Sequence, residues 1–323
     1  MIEELDTVVT DYAALRNAYI VRDGFVFTLG RKPAVFDTLV IRYPSDASGP
    51  INSLGCSERS LKEHIDLINN YQLKKATIIC KDLAFILRCP SLNEISIYPD
   101  HEIGDGFDYS PLYQMPNLKR LRCITTYGFW DQYKCTIDYS QINGVSDISV
   151  SGQGHVGYEL VPTLEELWLS RNKKHKDFHD ISCSPHLKDV TLMQCSIQSL
   201  SGIEQYGEMQ SLSLYHNRSL RDISGLAGVG DTLQILAIES CPKIADFAVL
   251  SKLHNLEHLQ LYGSNQLPSL SFLTQMKKLK TFTFTMDVAD GDLSLCMEIP
   301  YASCKNRKHY NLRDSQLPKQ IYK

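Results

Sequence analysis

Long apolar runs are missing from this 323-residue chain. None reaches the ~18 residues a membrane-crossing helix requires, and the opening MIEELDTVVTDY is acidic where a secretory leader is basic and then apolar. These absences point to a cytoplasmic protein. Excess positive charge is missing too: 33 Lys and Arg face 37 Asp and Glu, a net charge of −4 that provides no general attraction to nucleic acid or anionic lipid. The 10 cysteines form no C-x-x-C pair, and Cys123, Cys195 and Cys241 fall at core or ladder positions, so buried thiols are expected rather than a disulfide framework. G-x-S-x-G, H-E-x-x-H and the family-specific cysteine signatures are all absent, which leaves nucleophilic and zinc-peptidase chemistry without their usual frameworks. Apolar content of 43% with 22% charged residues excludes the disordered and fibrous classes.

What the chain does have is a repeat. LEELWLSRN (164–172), LKDVTLMQC (187–195), MQSLSLYHN (209–217), LQILAIESC (233–241), LEHLQLYGS (256–264) and LKTFTFTMD (279–287) start 23, 22, 24, 23 and 23 residues apart. A period this steady, carrying L-x-x-L-x-L-x-x-(N/C), predicts one short strand per unit, stacked into a parallel sheet. The few apolar side chains of one unit do not offset the entropy of ordering its backbone, so units must share a core and the ends need caps. Between the strands, IQSLSGIEQYGEM, LRDISGLAGVGDT, IADFAVLSKLHN and LPSLSFLTQMKK place apolar residues at i, i+3 and i+6, a spacing that suits short 3₁₀ pieces. In these features the chain resembles the bacterial and SDS22-like class of leucine-rich repeats, which also includes internalins. The resemblance implies an α/β horseshoe with a parallel concave sheet and short 3₁₀ or helical convex segments, working as a module that binds other proteins.

The expected organisation has four parts. Residues 1–35 form an amino-terminal cap, with an amphipathic helix over 2–16 and a hairpin in AYIVRDGFVFTL turning at Asp23-Gly24. Residues 36–153 carry degenerate repeats, among them FDTLVIRYP, LKKATIICK, LNEISIYPD, LKRLRCITT and VSDISVSGQ. A helical insertion at about 57–72 interrupts them, capped by Ser57 or Ser60 and turning Leu61, Ile65 and Ile68 to one side. Residues 164–287 are the regular repeats, and 288–323 close the carboxy-terminal end.

Three constellations suggest chemistry, and each has a plainer reading. Gly152-x-Gly154-x-x-Gly157 follows a strand as a dinucleotide fingerprint would, but no βαβ unit of ~30 residues surrounds it, so a repeat turn is expected. His175, His179, Asp180, Cys183 and His186 share one loop, and on a helix His175 and His179 would face one way; a metal-dependent enzyme would use them, against the simpler reading of exposed loop histidines. Arg171, Lys173, Lys174 and Lys176, with Lys305, Arg307, Lys308, Arg313, Lys319 and Lys323 against Asp314 alone, form the nucleic-acid alternative; Tyr301, Tyr310 and Leu312 are instead spaced as packing residues of a cap. Asn217-Arg-Ser219 is a glycosylation sequon by letter, yet Asn217 holds the ladder position. No cofactor and no metal is expected.

The remaining surface is the concave sheet. Side chains alternate along a strand, so the residues before, between and after the second and third leucines of each unit point out and stack into columns. Tyr98, Met193, Tyr215, Glu239 and Tyr262 fall in the last column, Arg122 and Trp168 in the middle one, and Glu166, Asp189 and His258 in the first. Aromatic residues and arginine carry protein interfaces because they bury much area at low entropic cost. The columns hold Glu94, Asp147, Glu166, Asp189 and Glu239 against Arg120 and Arg122. The expectation is a protein partner with a basic, partly apolar surface, centred on Trp168, Met193, Tyr215 and Tyr262.

Overall fold

In the computed structural model, the described residues are 19–22, 25–28, 35–43, 60–99, 106–123, 137–151 and 154–320. The expected helix at 2–16, Ser57, Gly152 and Lys323 lie outside them. The chain divides into two compact units, residues 1–145 with 153–156 and residues 146–152 with 157–323.

In the first unit, β1 (Tyr19–Arg22) and β2 (Phe25–Thr28) pair antiparallel as a hairpin, and β2 pairs antiparallel with β3 (Val35–Tyr43). From β3 onward the pairing is parallel, through β4 (Lys75–Cys80), β5 (Glu94–Pro99) and β6 (Arg120–Cys123). Helix α1 (Leu61–Tyr71) occupies the connection between β3 and β4. Its start is set by Ser60: the hydroxyl accepts from Glu63 N–H, and the Glu63 carboxylate takes Ser60 N–H at 2.7 Å, a reciprocal capping box. Ile65 and Ile68 are buried, and the helix ends where Gln72 turns left-handed (φ 51°). A single helical turn, α2 (Ser110–Tyr113), precedes β6.

The second unit is built from β7 (Asp147–Ser151), β8 (Glu166–Ser170), β9 (Asp189–Met193), β10 (Ser211–Tyr215), β11 (Ile235–Glu239) and β12 (His258–Tyr262), all parallel with neighbours paired without a slip. A two-residue strand, β13 (Gln266–Leu267), comes next; β14 (Thr281–Phe284) extends the main sheet from β12, and β15 (Asp287–Val288) pairs with β13. The register explains the leucine spacing. Leu167 and Leu169, Leu212 and Leu214, Leu236 and Ile238, and Leu259 and Leu261 all point into the core and are buried. Phe282 and Phe284 replace the pair on β14, with ring centroids 4.6 Å apart.

Opposite the strands run short 3₁₀ segments at 203–205, 224–229, 248–252, 271–275 and 294–298, as the spacing of three predicts. Many begin with the same device, in which a side chain accepts the amide two residues on. Asp222 Oδ1 takes Ser224 N–H at 2.9 Å, Asp246 takes Ala248 N–H at 2.8 Å and Asp292 takes Ser294 N–H at 2.9 Å. In the first unit Asp108 and Asp138 do the same for Ser110 and Ser140. Donation from the Ser224 amide holds the Asp222 carboxyl below its ordinary 3.8, and the Ser294 hydroxyl and amide do so for Asp292. A carboxyl depressed on folding contributes stability that is fully present above its unfolded pKa and lost as pH falls through the folded value. The thermal midpoint should therefore change little on this account from pH 7 to pH 5 and drop below about pH 4. Asp222→Asn should flatten that acid limb, as checked by thermal scans at stepped pH.

Four consecutive strands of the regular repeats, β8 to β11, also end alike. Arg171, Gln194, His216 and Ser240, the residues just past β8 to β11, sit in the left-handed region at φ 54° to 56°. That costs a non-glycine residue about 1 kcal/mol or more, and the ladder holds it: Gln194 N–H reaches Tyr215 O and His216 N–H reaches Glu239 O, both at 2.8 Å. One strand more, β16 (Tyr301–Cys304), pairs parallel with β14. Its far edge is covered by the chain itself. Ala302 N–H donates to Pro318 O, Tyr301 bridges Lys319, and the Asp314 carboxylate accepts from Cys304 N–H, Ser303 Oγ and Lys319 Nζ. An edge closed this way offers no template for pairing with another chain.

Candidate functional site

The outward residues of β7 to β14 form three columns, as the in-register pairing requires. The first runs Asp147, Glu166, Asp189, Ser211, Ile235, His258 and Thr281. The middle one, Ser149, Trp168, Thr191, Ser213, Ala237, Gln260 and Thr283, is small apart from Trp168 and Gln260. In the last, Met193, Tyr215, Glu239 and Tyr262 are direct neighbours on adjacent strands. Met193, Tyr215, Tyr262 and Trp168 are half-buried, while Glu166 and His258 are exposed. Trp168 belongs to the middle column, where its strand neighbours are Ser149 and Thr191, so it stands one column across from the tyrosines. Asp189 is half-buried; burial, reinforced by the charge of Asp147, pushes its carboxyl up against a countering bond from Ser211. In the first unit, Tyr98 on β5 is half-buried and Arg122 on β6 exposed, and Glu94 is flanked by Arg120 at 3.2 Å and Lys75 at 3.6 Å.

The other constellations are put to structural use. Residues 171–188 contain no helix, so His175 and His179 share no helical face. His175 is buried: Nδ1 lies 2.9 Å from Asp180 and Nε2 2.7 Å from the Tyr158 hydroxyl, which also accepts from Asn172 Nδ2 at 2.8 Å. Both ring nitrogens are thereby engaged, with Nδ1–H donating to the carboxylate and Nε2 accepting from tyrosine. Tyr158→Phe strips buried His175 and half-buried Asn172 of a bond and should cost about 1–3 kcal/mol, read as a shift in the urea midpoint. His179 and His186 are exposed beside Asp177 and Glu208. Among the described residues no group of three or more His, Cys, Asp or Glu is placed to hold a metal ion.

Gly154 (φ 92°) and Gly157 (φ 75°) are left-handed turn residues, and they lead into the three-residue 3₁₀ segment at 158–160, not a phosphate-binding helix. Several of the basic residues are engaged within the chain. Lys174 pairs with Glu159, Arg307 donates to Thr285 O beside Asp287, Arg313 donates to Arg307 O, and Lys319 pairs with Asp314. Asn217 is 0% exposed, with Nδ2 donating to Leu192 O and Oδ1 accepting from Cys195 N–H, both at 2.8 Å, which excludes it as a glycan acceptor in the folded chain.

Two solved structures set this geometry among known proteins. An internalin of Listeria monocytogenes superposes with a TM-score of 0.55 at 16% identity, over 86% of this chain and 86% of that one. The fold is a leucine-rich repeat solenoid. The functional domain of InlJ from Listeria monocytogenes, described as including a cysteine ladder, superposes at 0.51 and 16% identity over 73% of this chain and 49% of that one. No family model matches the sequence, and no curated protein matches it.

In this leucine-rich repeat the ladder position carries Cys195, Asn217 and Cys241 in turn: Cys195 Sγ donates to Leu169 O, Asn217 to Leu192 O and Cys241 Sγ to Leu214 O, while Asn265, one residue past that position in the next repeat, donates to Cys241 O and Ile244 O. The described cysteines are free, and burial raises the thiols of Cys195 and Cys241 to about 11. One further residue of the first column, which the alternation along the strand already turns outward, joins the surface. Ile235 is 42% exposed at the start of β11, between Ser211 and His258. No helix among the described residues is long and apolar enough to cross a membrane.

Proposed function

We propose that this chain is a non-enzymatic binding protein that holds a protein partner against the open face of β7 to β14, as an inhibitor, immunity-type or regulatory subunit. One observation carries the reading: Met193, Tyr215 and Tyr262, with Ile235 across the sheet, place large, partly accessible side chains on a rigid wall whose core face is filled by leucine. Such preorganised aromatic anchors are what interface hot spots are made of. The same reading keeps the chain in a reducing compartment, in keeping with its free buried thiols.

Affinity capture from the native organism tests it, using the full chain, the triple variant Trp168→Ala/Tyr215→Ala/Tyr262→Ala, and a control altered away from this face, Leu160→Ser/Met297→Ser. Partner retained by the control and lost with the triple variant is the expected result. Equal capture by a folded triple variant contradicts the assignment.

A further inference from the structure

On β10, β11 and β12 the last outward column reads Tyr215, Glu239, Tyr262, one residue per strand, each paired in register with the next. One carboxylate therefore stands between two aromatic side chains, and all three residues are half-buried. Neighbouring strands lie about 4.8 Å apart, which puts each tyrosine one step from the glutamate and about 9.6 Å, two steps, from the other tyrosine. A cation centred over β11 then falls, along the stacking direction, inside the ~6 Å at which the negative face of a ring attracts it, and does so for both rings. The outward residues of these three strands include neither lysine nor arginine. Among the described residues the ion-pair contact of Glu239 is His216 Nε2 at 3.8 Å, beyond hydrogen-bonding distance, and the glutamate side chain keeps 33% of its surface accessible. Two residues back on β11 is Ala237, buried and small, with Ser213 and Gln260 as its strand neighbours. From Ala237 to Glu239 is about 7 Å along the strand, a path that an extended aliphatic stem covers.

We infer that Tyr215, Glu239 and Tyr262 form a seat for one long cationic side chain, an arginine or lysine of the protein partner, with its stem along Ala237 and its charged head between the rings. The inference rests on the binding role proposed above and names the side chain that this part of the face takes. Charge complementarity decides between occupants. An apolar side chain in the same place would strip water from Glu239 and return no donor. A guanidinium returns two, because its planar fork meets a carboxylate edge-on while its face stacks on an aromatic ring. A lysine ammonium gains the same charge and ring attraction as a compact head on a flexible stem.

The probe is a random twelve-residue peptide library displayed on phage and panned against the full chain. Enriched peptides should share an arginine or lysine. In synthetic copies that residue is exchanged for citrulline or acetyl-lysine, which keeps the stem and removes the charge. The exchange should weaken binding at least about tenfold on the wild type and less than about twofold on the isosteric variant Glu239→Gln, because cation and carboxylate act as a pair. Enriched peptides without a basic residue, an exchange that costs the same on both proteins, or no enrichment at all overturns the inference. The binding role is read separately, with the triple aromatic variant. Peptides without a basic residue that this variant fails to bind leave the binding role standing and remove the cation seat; peptides that it binds as well as the wild type does remove both.

Discussion

Asn217→Ala should be among the most destabilising single substitutions in the chain, at about 3–5 kcal/mol. The side chain is wholly buried and satisfies two backbone groups at once, Leu192 C=O and Cys195 N–H. Alanine strands both in a dry interior, at roughly 1–3 kcal/mol each, and leaves a void besides. With an m-value of about 1–3 kcal/mol/M in urea, the midpoint should fall by 1 M or more. Asn217→Cys should cost clearly less, because Cys195 and Cys241 occupy the equivalent place and still donate to a carbonyl of the preceding repeat. Urea titrations of the three proteins followed by circular dichroism check the order. Equal losses for Ala and Cys would show that the side-chain bonds of this ladder contribute little.

The second large effect is on binding. Hot-spot residues each cost about 2 kcal/mol or more when truncated, and truncations on one face are not additive. Removing Trp168, Tyr215 and Tyr262 together should still weaken a partner by at least about 1,000-fold, since each 1.4 kcal/mol is tenfold. The fold should survive, because these side chains are only half-buried while Leu167, Leu169, Leu212, Leu214, Leu259 and Leu261 pack the other side of the same strands. A midpoint in urea close to that of the wild type would separate lost binding from lost structure.

The regular repeats were legible because one rule, alternation along a strand, fixes both the buried pair and the outward columns. Once LEELWL and its five relatives are aligned, the register is determined, and the structure pairs Glu166 with Asp189 and Tyr215 with Glu239 as that alignment implies. Less was readable where the leucine slots are filled otherwise. β16 carries Ala302 and Cys304 in those slots, so no L-x-L marks it, yet it pairs in register with Phe282 and Phe284. The histidine loop misled in a different way: an i, i+4 spacing suggests a shared helical face only where a helix forms, and the Tyr158 hydroxyl that engages His175 comes from 17 residues away. The Asp222-Ile-Ser224 and Asp292-Leu-Ser294 caps are visible as letters, but only the amide geometry shows what they do.

The most direct measurement is site-specific photo-crosslinking of the captured complex, with a photoreactive phenylalanine in place of Tyr215 in one protein and of Leu160, which is 62% exposed on the 3₁₀ segment after Gly157, in another. A covalent adduct with the partner from position 215 and none from position 160 is the outcome that a working open sheet face predicts. An adduct from position 160, with none from position 215, would contradict it.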